Sequence, residues 1–164
     1  MEALLVLGPG DAGELLTLQR AAYVTEAQAH CDLDLPPLRQ SLSELIEEVS
    51  DPEVFATGWR DEAGRLVAAV RIRVRRCAPT VGEVGRLTVV PDRQGQALGS
   101  RLITAAERAL PVSVTDLRLF TGERSEGNLR LYARLGYTET HREVTPAGYA
   151  LVHMTKQRQQ PTSS

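Results

Sequence analysis

Leu87-Thr88-Val89-Val90-Pro91-Asp92-Arg93-Gln94-Gly95-Gln96-Ala97-Leu98-Gly99-Ser100-Arg101-Leu102-Ile103 reads as a strand, a glycine-containing turn and the start of a helix. The β-branched run at Thr88–Val90 suits a pleated strand, and Pro91, lacking an N–H, ends it. Small residues in the turn let backbone approach a bulky anion closely. The first N–H groups of a helix have no intrahelical partner, and the helix dipole adds partial positive charge there. Residues Gln94, Gly95, Gln96, Ala97, Leu98, Gly99 and Ser100 therefore outline an anion cradle that needs no lysine or arginine. No G-x-x-x-x-G-K-[ST] motif is present, so nucleotide triphosphate hydrolysis is not indicated.

Working outward, Ala3 to Leu7 reads as a strand and Asp11 to Ala29 as a helix with Asp11 and Glu14 as a capping box. Cys31 to Arg39, with Pro36-Pro37, reads as an irregular connection. Ser41 and Glu44 open a second helix, which runs through Val49 and stops near Asp51-Pro52. Val54 to Arg60 and Arg65 to Arg76 flank the hairpin composition Asp61-Glu62-Ala63-Gly64. Alternation in the second arm predicts Leu66, Ala68, Val70, Ile72 and Val74 inward, with Arg71, Arg73 and Arg75 on a solvated face. Val81 to Val90 is a strand, Leu98 to Leu110 a helix, Leu117 to Thr121 a strand, and Asn128 to Leu135 a helix ended by Gly136. Tyr137 to Val144 and Tyr149 to Lys156 form a last hairpin. The order β-α-α-β-β-β-α-β-α-β-β predicts one α/β domain over residues 1–156, with residues 157–164 a polar, disordered tail.

Composition narrows the function classes. A chain of 164 residues with 42% hydrophobic content fits a single core. Its formal charge of −2 lacks the basic footprint of a nucleic-acid binder. Uncharged stretches fall short of the ~20 residues that span a bilayer, and the start lacks a signal-peptide pattern. Cys31 and Cys77 read as reduced thiols, which predicts a cytoplasmic protein. His30, His141 and His153 lack ligand spacing, so no metal site is expected.

A second glycine segment competes for the phosphate. Gly8-Pro9-Gly10-Asp11-Ala12-Gly13 is a literal G-x-G-x-x-G between a strand and a helix. The dinucleotide unit needs a second parallel strand soon after the helix, but Cys31-Asp32-Leu33-Asp34-Leu35-Pro36-Pro37 is a poor strand. Asp11 would also set a carboxylate against the pyrophosphate. A dinucleotide-dependent oxidoreductase is therefore the weaker alternative.

Gln94-x-x-Ala97-x-Gly99 resembles the [Q/R]-x-x-G-x-[G/A] acetyl-CoA motif of the GNAT-superfamily N-acetyltransferases, departing at Ala97, where glycine is usual. Asn128-Leu129-Arg130-Leu131-Tyr132-Ala133-Arg134-Leu135-Gly136-Tyr137 resembles the family's late Asn-x-x-x-Tyr-x-x-x-Gly-[Tyr/Phe] element. The resemblance spans nearly the whole chain. It implies an α+β fold with a mixed, mostly antiparallel sheet of six to seven strands and about four helices. The fourth and fifth strands, ending near Val90 and Thr121, would splay apart. It further implies acetyl-CoA as cosubstrate, with pantetheine bonding the backbone of Leu87, Thr88 and Val89, and Asn128 bonding the cofactor. Tyr132 would protonate the departing sulfur, and the Val89 N–H would polarise the thioester carbonyl. Dimers are frequent in the family; nothing in the sequence decides the oligomeric state.

A lysine-like amine, with pKa ~10.4, is only ~0.04% neutral at pH 7, so a proton acceptor is useful. Glu83, six residues before Val89 on the same strand, is expected on the same face and is a candidate base; a solvated strand-end carboxylate is the equal alternative. The acceptor would be a small-molecule or peptide amine. The carboxylates Glu26, Asp32, Asp34, Glu44, Glu47 and Glu48 suggest a cationic one, such as a polyamine, an aminoglycoside or a lysine-containing peptide. A non-catalytic acyl-CoA sensor would keep the cradle without needing Tyr132.

Overall fold

The computed structural model describes residues 3–159. Seven strands form one sheet: β1 (Leu5–Val6), β2 (Val54–Arg60), β3 (Leu66–Arg73), β4 (Val81–Val89), β5 (Asp116–Gly122), β6 (Thr138–Val144) and β7 (Ala150–Gln157). Their spatial order is β1-β2-β3-β4-β5-β7-β6, antiparallel throughout except for β4 beside β5. The helices are α1 (Ala12–His30), α2 (Pro36–Arg39), α3 (Leu42–Ser50), α4 (Leu98–Ala109) and α5 (Glu126–Arg134). This is the expected mixed α/β architecture. Single-turn α2 is the helix that the sequence reading missed. Pro36 and Pro37 take its first positions, where a missing N–H goes unneeded.

Two hydrophobic cores cover the sheet. Leu15, Leu16 and Leu18 of α1 and Leu45 of α3 pack with Ala56 and Ala69; Leu102 and Ile103 of α4 pack with Val70, Ile72 and Leu117. With helices on both sides, β3 is buried on both, which corrects the solvated stripe expected for its arginines. Arg71 is 4% exposed. Its Nε donates to Glu48 at 3.0 Å and its Nη2 to Gln19 at 2.6 Å, so its charge is paired rather than hydrated. Only Arg75, beyond the strand, keeps an exposed ion pair, to Glu83 at 3.2 Å.

Ser41 caps α3 by accepting from the Glu44 N–H at 3.2 Å, as its spacing predicts. The box predicted at Asp11 does not form. Asp11 instead accepts from the Gly8 N–H at 2.9 Å, and Glu14 accepts from Arg60 at 2.8 Å. The tail also starts later than expected. Gln157 ends β7, and Arg158 donates to the Leu110 carbonyl at 2.9 Å, satisfying the C-terminal end of α4. Residues 160–164 of the predicted tail lie outside the described residues.

The feature that shapes the site is in β4. It pairs with β5 only at Val81↔Asp116, Gly82↔Leu117 and Glu83↔Arg118, after which the two strands part. On its other edge, Ala69↔Thr88 and Arg71↔Gly85 leave one extra residue on β4, a bulge at Arg86 with φ 55. The bulge reverses side-chain parity. Glu83, opposite Arg73, shares the Arg71 face, whereas Val89 is opposite Ala68 and packs with the α4 core. The expectation that Glu83 and Val89 share a face therefore fails.

Gly58 joins the β1 edge to the central strands, and a Cβ there would sit 2.5 Å from the Ala68 carbonyl oxygen. Gly58→Ala is expected to lower unfolding free energy by about 1–3 kcal/mol, read as a lower urea midpoint at unchanged slope. An unchanged midpoint would contradict this packing.

Candidate active site

The turn before α4 builds the cradle. Gly95 has φ 80 and Ala97, the residue preceding α4, has φ 59 and ψ 19, so the chain alternates hand as it enters the helix. Such alternation turns successive N–H groups inward as an anion nest. The first helical bond is Arg101 N–H to Ala97 O at 3.2 Å. The N–H groups of Leu98, Gly99 and Ser100 precede it and lack helical partners; no side chain caps this end and its first turn holds no acidic residue. Of the side chains here, the Ser100 hydroxyl turns back to Ala97 O at 3.1 Å, and Gln96 accepts from Arg93 Nε at 2.8 Å. A diphosphate suits this arrangement of open amides.

The α1 end is different. Asp11 and Glu14 occupy it and are held by Arg60 at 2.9 and 2.8 Å, so its anion position is filled by the chain itself. The strand that follows, β2, runs antiparallel to β1. Neither the charge nor the topology of Gly8–Gly13 fits a dinucleotide fingerprint.

Between β4 and β5 the backbone is open. Val90 N–H bonds to Val67 O at 2.8 Å, so Val90 and Thr88 address β3, while Val89 and Leu87 address the gap. Gln94 Nε2 donates to Val89 O at 3.2 Å, tying the motif's first residue to this edge. Thr88 differs from its neighbours Leu87 and Val89: its backbone faces β3 and its buried hydroxyl donates to Ala69 O at 3.4 Å. Gly99 sits where a Cβ would lie 3.5 Å from Leu87 and from Leu131, so α4, α5 and β4 converge on it.

Tyr132 is buried on α5. Burial, then the neighbouring Tyr23 and Glu26, raise its phenol above the ordinary range. Glu26 of α1 accepts from Ser125 Oγ and from Asn128 Nδ2 at 3.3 Å, at the N-terminal end of α5. Asn128 is thus held by Glu26. Tyr23 is raised by burial, an effect opposed by Arg86 at the bulge and by Arg71. Sequence reasoning missed Tyr23 and Arg86. Tyr23 and Glu26 stand three apart on α1, a visible spacing; the left-handed Arg86 had no signal. Glu83, about half exposed beside Arg75, does not figure among the charges bearing on Tyr132.

The expected acidic wall is largely engaged. Glu48 pairs with Arg71, and Asp32 accepts from the Tyr149 hydroxyl at 2.7 Å. Among the described residues no three His, Cys, Asp or Glu side chains form a metal cluster, and none of the helices is long and apolar enough to cross a membrane.

Residues 15–137 match the sequence profile of the Acetyltransferase (GNAT) family. The chain belongs to that family. It is an acetyl-CoA-dependent N-acetyltransferase. The S-(2-succino)cysteine N-acetyltransferase of Bacillus subtilis (strain 168) is 24% identical over 161 residues, covering 90% of each chain. The ribosomal-protein-S18-alanine N-acetyltransferase of Escherichia coli superposes with a TM-score of 0.76 at 18% identity, covering 96% of this chain and 94% of that one. Spermidine N-acetyltransferase from Vibrio cholerae, in complex with CoA and spermine, gives 0.75 at 16%, covering 94% of each. These two likenesses show the GNAT fold, including the parallel fourth and fifth strands.

Two outcomes follow from the site's backbone and phenols. Ala97 holds a left-handed conformation that glycine adopts without a Cβ penalty, so the penalty is conformational. Ala97→Gly should raise unfolding free energy by roughly 0.5–1 kcal/mol in a denaturant titration; a loss would show no strain there. Burial is the leading cause raising all four phenols, Tyr23, Tyr132, Tyr137 and Tyr149, the last to about 12. The unfolded chain then releases phenolic protons first, near pH ~10. Stability from these groups is complete below that value and falls as pH rises through the folded-state values. Tyrosinate absorbance in the native protein should therefore stay low above pH ~10 and rise with unfolding; ordinary titration near 10 would contradict the burial.

Proposed function

We propose that this GNAT enzyme transfers the acetyl group directly to an amine of a small-molecule or peptide acceptor, in a ternary complex. The observation that carries this reading is the coincidence of two features. The open amides before Arg101 fit a diphosphate, and Gly99 among them sits against Leu87 and Val89 of the open β4 edge and against Leu131, the residue before Tyr132 on α5. Bound acetyl-CoA supplies an activated thioester. The chain's own groups must then bind the diphosphate, donate to a carbonyl oxygen, supply a proton toward sulfur and take one from the amine.

The Leu98, Gly99 and Ser100 N–H groups serve the first task, and the Val89 N–H the second. Tyr132 serves the third as a hydrogen-bond donor. A phenol near 10 gives its proton to a thiolate near 8.5 uphill by about 2 kcal/mol, and burial steepens that difference. It therefore orients and stabilises sulfur more than it transfers a whole proton. For the fourth task Glu26 is better supported than Glu83. Its carboxylate bears on both Tyr23 and Tyr132, whereas Glu83 is engaged by Arg75 in an exposed pair.

An amine panel with free-thiol detection tests the function, and acetyl-CoA should raise the melting temperature independently of turnover. Tyr132→Phe should lower kcat about 10–100-fold while leaving acetyl-CoA affinity within about twofold. An unaltered kcat removes Tyr132 from the mechanism. Glu26→Gln should flatten the acidic limb of the kcat/KM profile, whereas Glu83→Gln should leave its shape intact. The reverse pattern would restore Glu83 as the base.

A further inference from the structure

A cavity of about 440 Å³ opens beside the β4 bulge, lined by Asp34, Pro36, Arg39, Gln40, Glu44 and Arg86. Its charges are unequal in availability. Asp34 and Arg39 face each other at 4.0 Å on the exposed rim. Glu44 accepts from the Ser41 hydroxyl at 3.1 Å, where it also benefits from the first turn of α3. Arg86 has no carboxylate within ion-pair distance among the described residues, and its Nε is buried without a hydrogen-bond partner.

The surroundings deepen that imbalance. Arg71, close enough for its charge to be felt by the same Tyr23 phenol, is matched by the single carboxylate Glu48. Gln40 and Gln19 complete that pair, through bonds of 2.7 Å to Glu48 and 2.9 Å between them, and offer Arg86 nothing. Of the two guanidiniums, Arg71 thus has a carboxylate partner in Glu48, whereas half-buried Arg86 has none at ion-pair distance among the described residues. An uncompensated charge in such a place is unfavourable unless an anion arrives with the ligand. The left-handed backbone at Arg86 adds strain at the same residue, and strain of this kind persists where the position is over-determined.

We infer that Arg86 is the specificity anchor for a carboxylate on the acceptor, so the favoured substrates are amino-acid-like amines rather than polyamines. The inference rests on the acetyltransfer reading above and adds the acceptor's chemical class to it. A guanidinium fork matches a carboxylate with two parallel hydrogen bonds, and the Tyr23 phenol feels the charges of both Arg86 and Glu26, the proposed base. The acidic segment read from sequence pointed to the opposite charge, but within it Glu48 and Asp32 are already committed to the fold.

The test compares free α-amino acids with their carboxamides, their decarboxylated amines and spermidine, by thiol release. Wild-type protein should prefer the acids by about 10–100-fold in kcat/KM, mainly through KM. Arg86→Gln should shrink that acid-to-amide ratio about tenfold or more, while Arg86→Lys, which keeps charge but loses the fork, should fall between. The acetyl-CoA-induced rise in melting temperature reports that each variant is folded. Equal turnover of acids, amides and spermidine overturns the inference, as does a ratio untouched by Arg86→Gln. Thiol release with none of the amines would instead overturn the acetyltransfer reading itself.

Discussion

The structure turns on β4 letting go of β5 after Glu83 while keeping its other edge on β3. A strand edge inside a sheet ordinarily has its N–H and C=O groups paired, and leaving them open is unfavourable unless water or a ligand completes them. Here the opening is bounded on one side by the Arg86 bulge and on the other by the turn into α4. The bulge re-aims side chains on either side of it. The turn exposes the first amides of the helix. Both are local backbone events, and together they place an extended polar edge next to an anion cradle.

Around that opening, charge is distributed with a consistent logic. The α1 end is saturated by Asp11, Glu14 and Arg60 and serves the fold. The α4 end carries no carboxylate and no side-chain cap and is free for a ligand. The α5 end is met by Glu26 from α1, which fixes Ser125 and Asn128 and brings a carboxylate close to the phenols of Tyr23 and Tyr132. Similar helix termini are thus put to three uses, and the difference lies in which side chains reach them.

Much of this was legible in the sequence. The strand at Val54–Arg60 and the start of the helix at Leu98 follow from periodicity and turn residues, and they agree with the structure to the residue. The opening between β4 and β5 came from the resemblance carried by Gln94, Gly99, Asn128 and Tyr132. What stayed hidden depends on tertiary neighbours. Arg71 looked solvated because alternation cannot tell an exposed face from one covered by α1 and α3. Glu83 and Val89 seemed to share a face because a bulge of one residue leaves no mark in composition. Thr88 sat inside a motif whose register decides which backbone groups face the gap. Arg86 adopts φ 55, a value its residue type does not announce.

The central claim is that the open β4 edge and the first amides of α4 receive acetyl-CoA. Amide hydrogen exchange, followed with and without acetyl-CoA, measures this at the groups concerned. The account predicts fast exchange at Val89, Leu98, Gly99 and Ser100 in the free protein, slowed when acetyl-CoA is added, with little change at Gly8–Gly13. Protection that appears at Gly8–Gly13 instead, or that leaves residues 87–100 unaltered while acetyl-CoA binds, would contradict it.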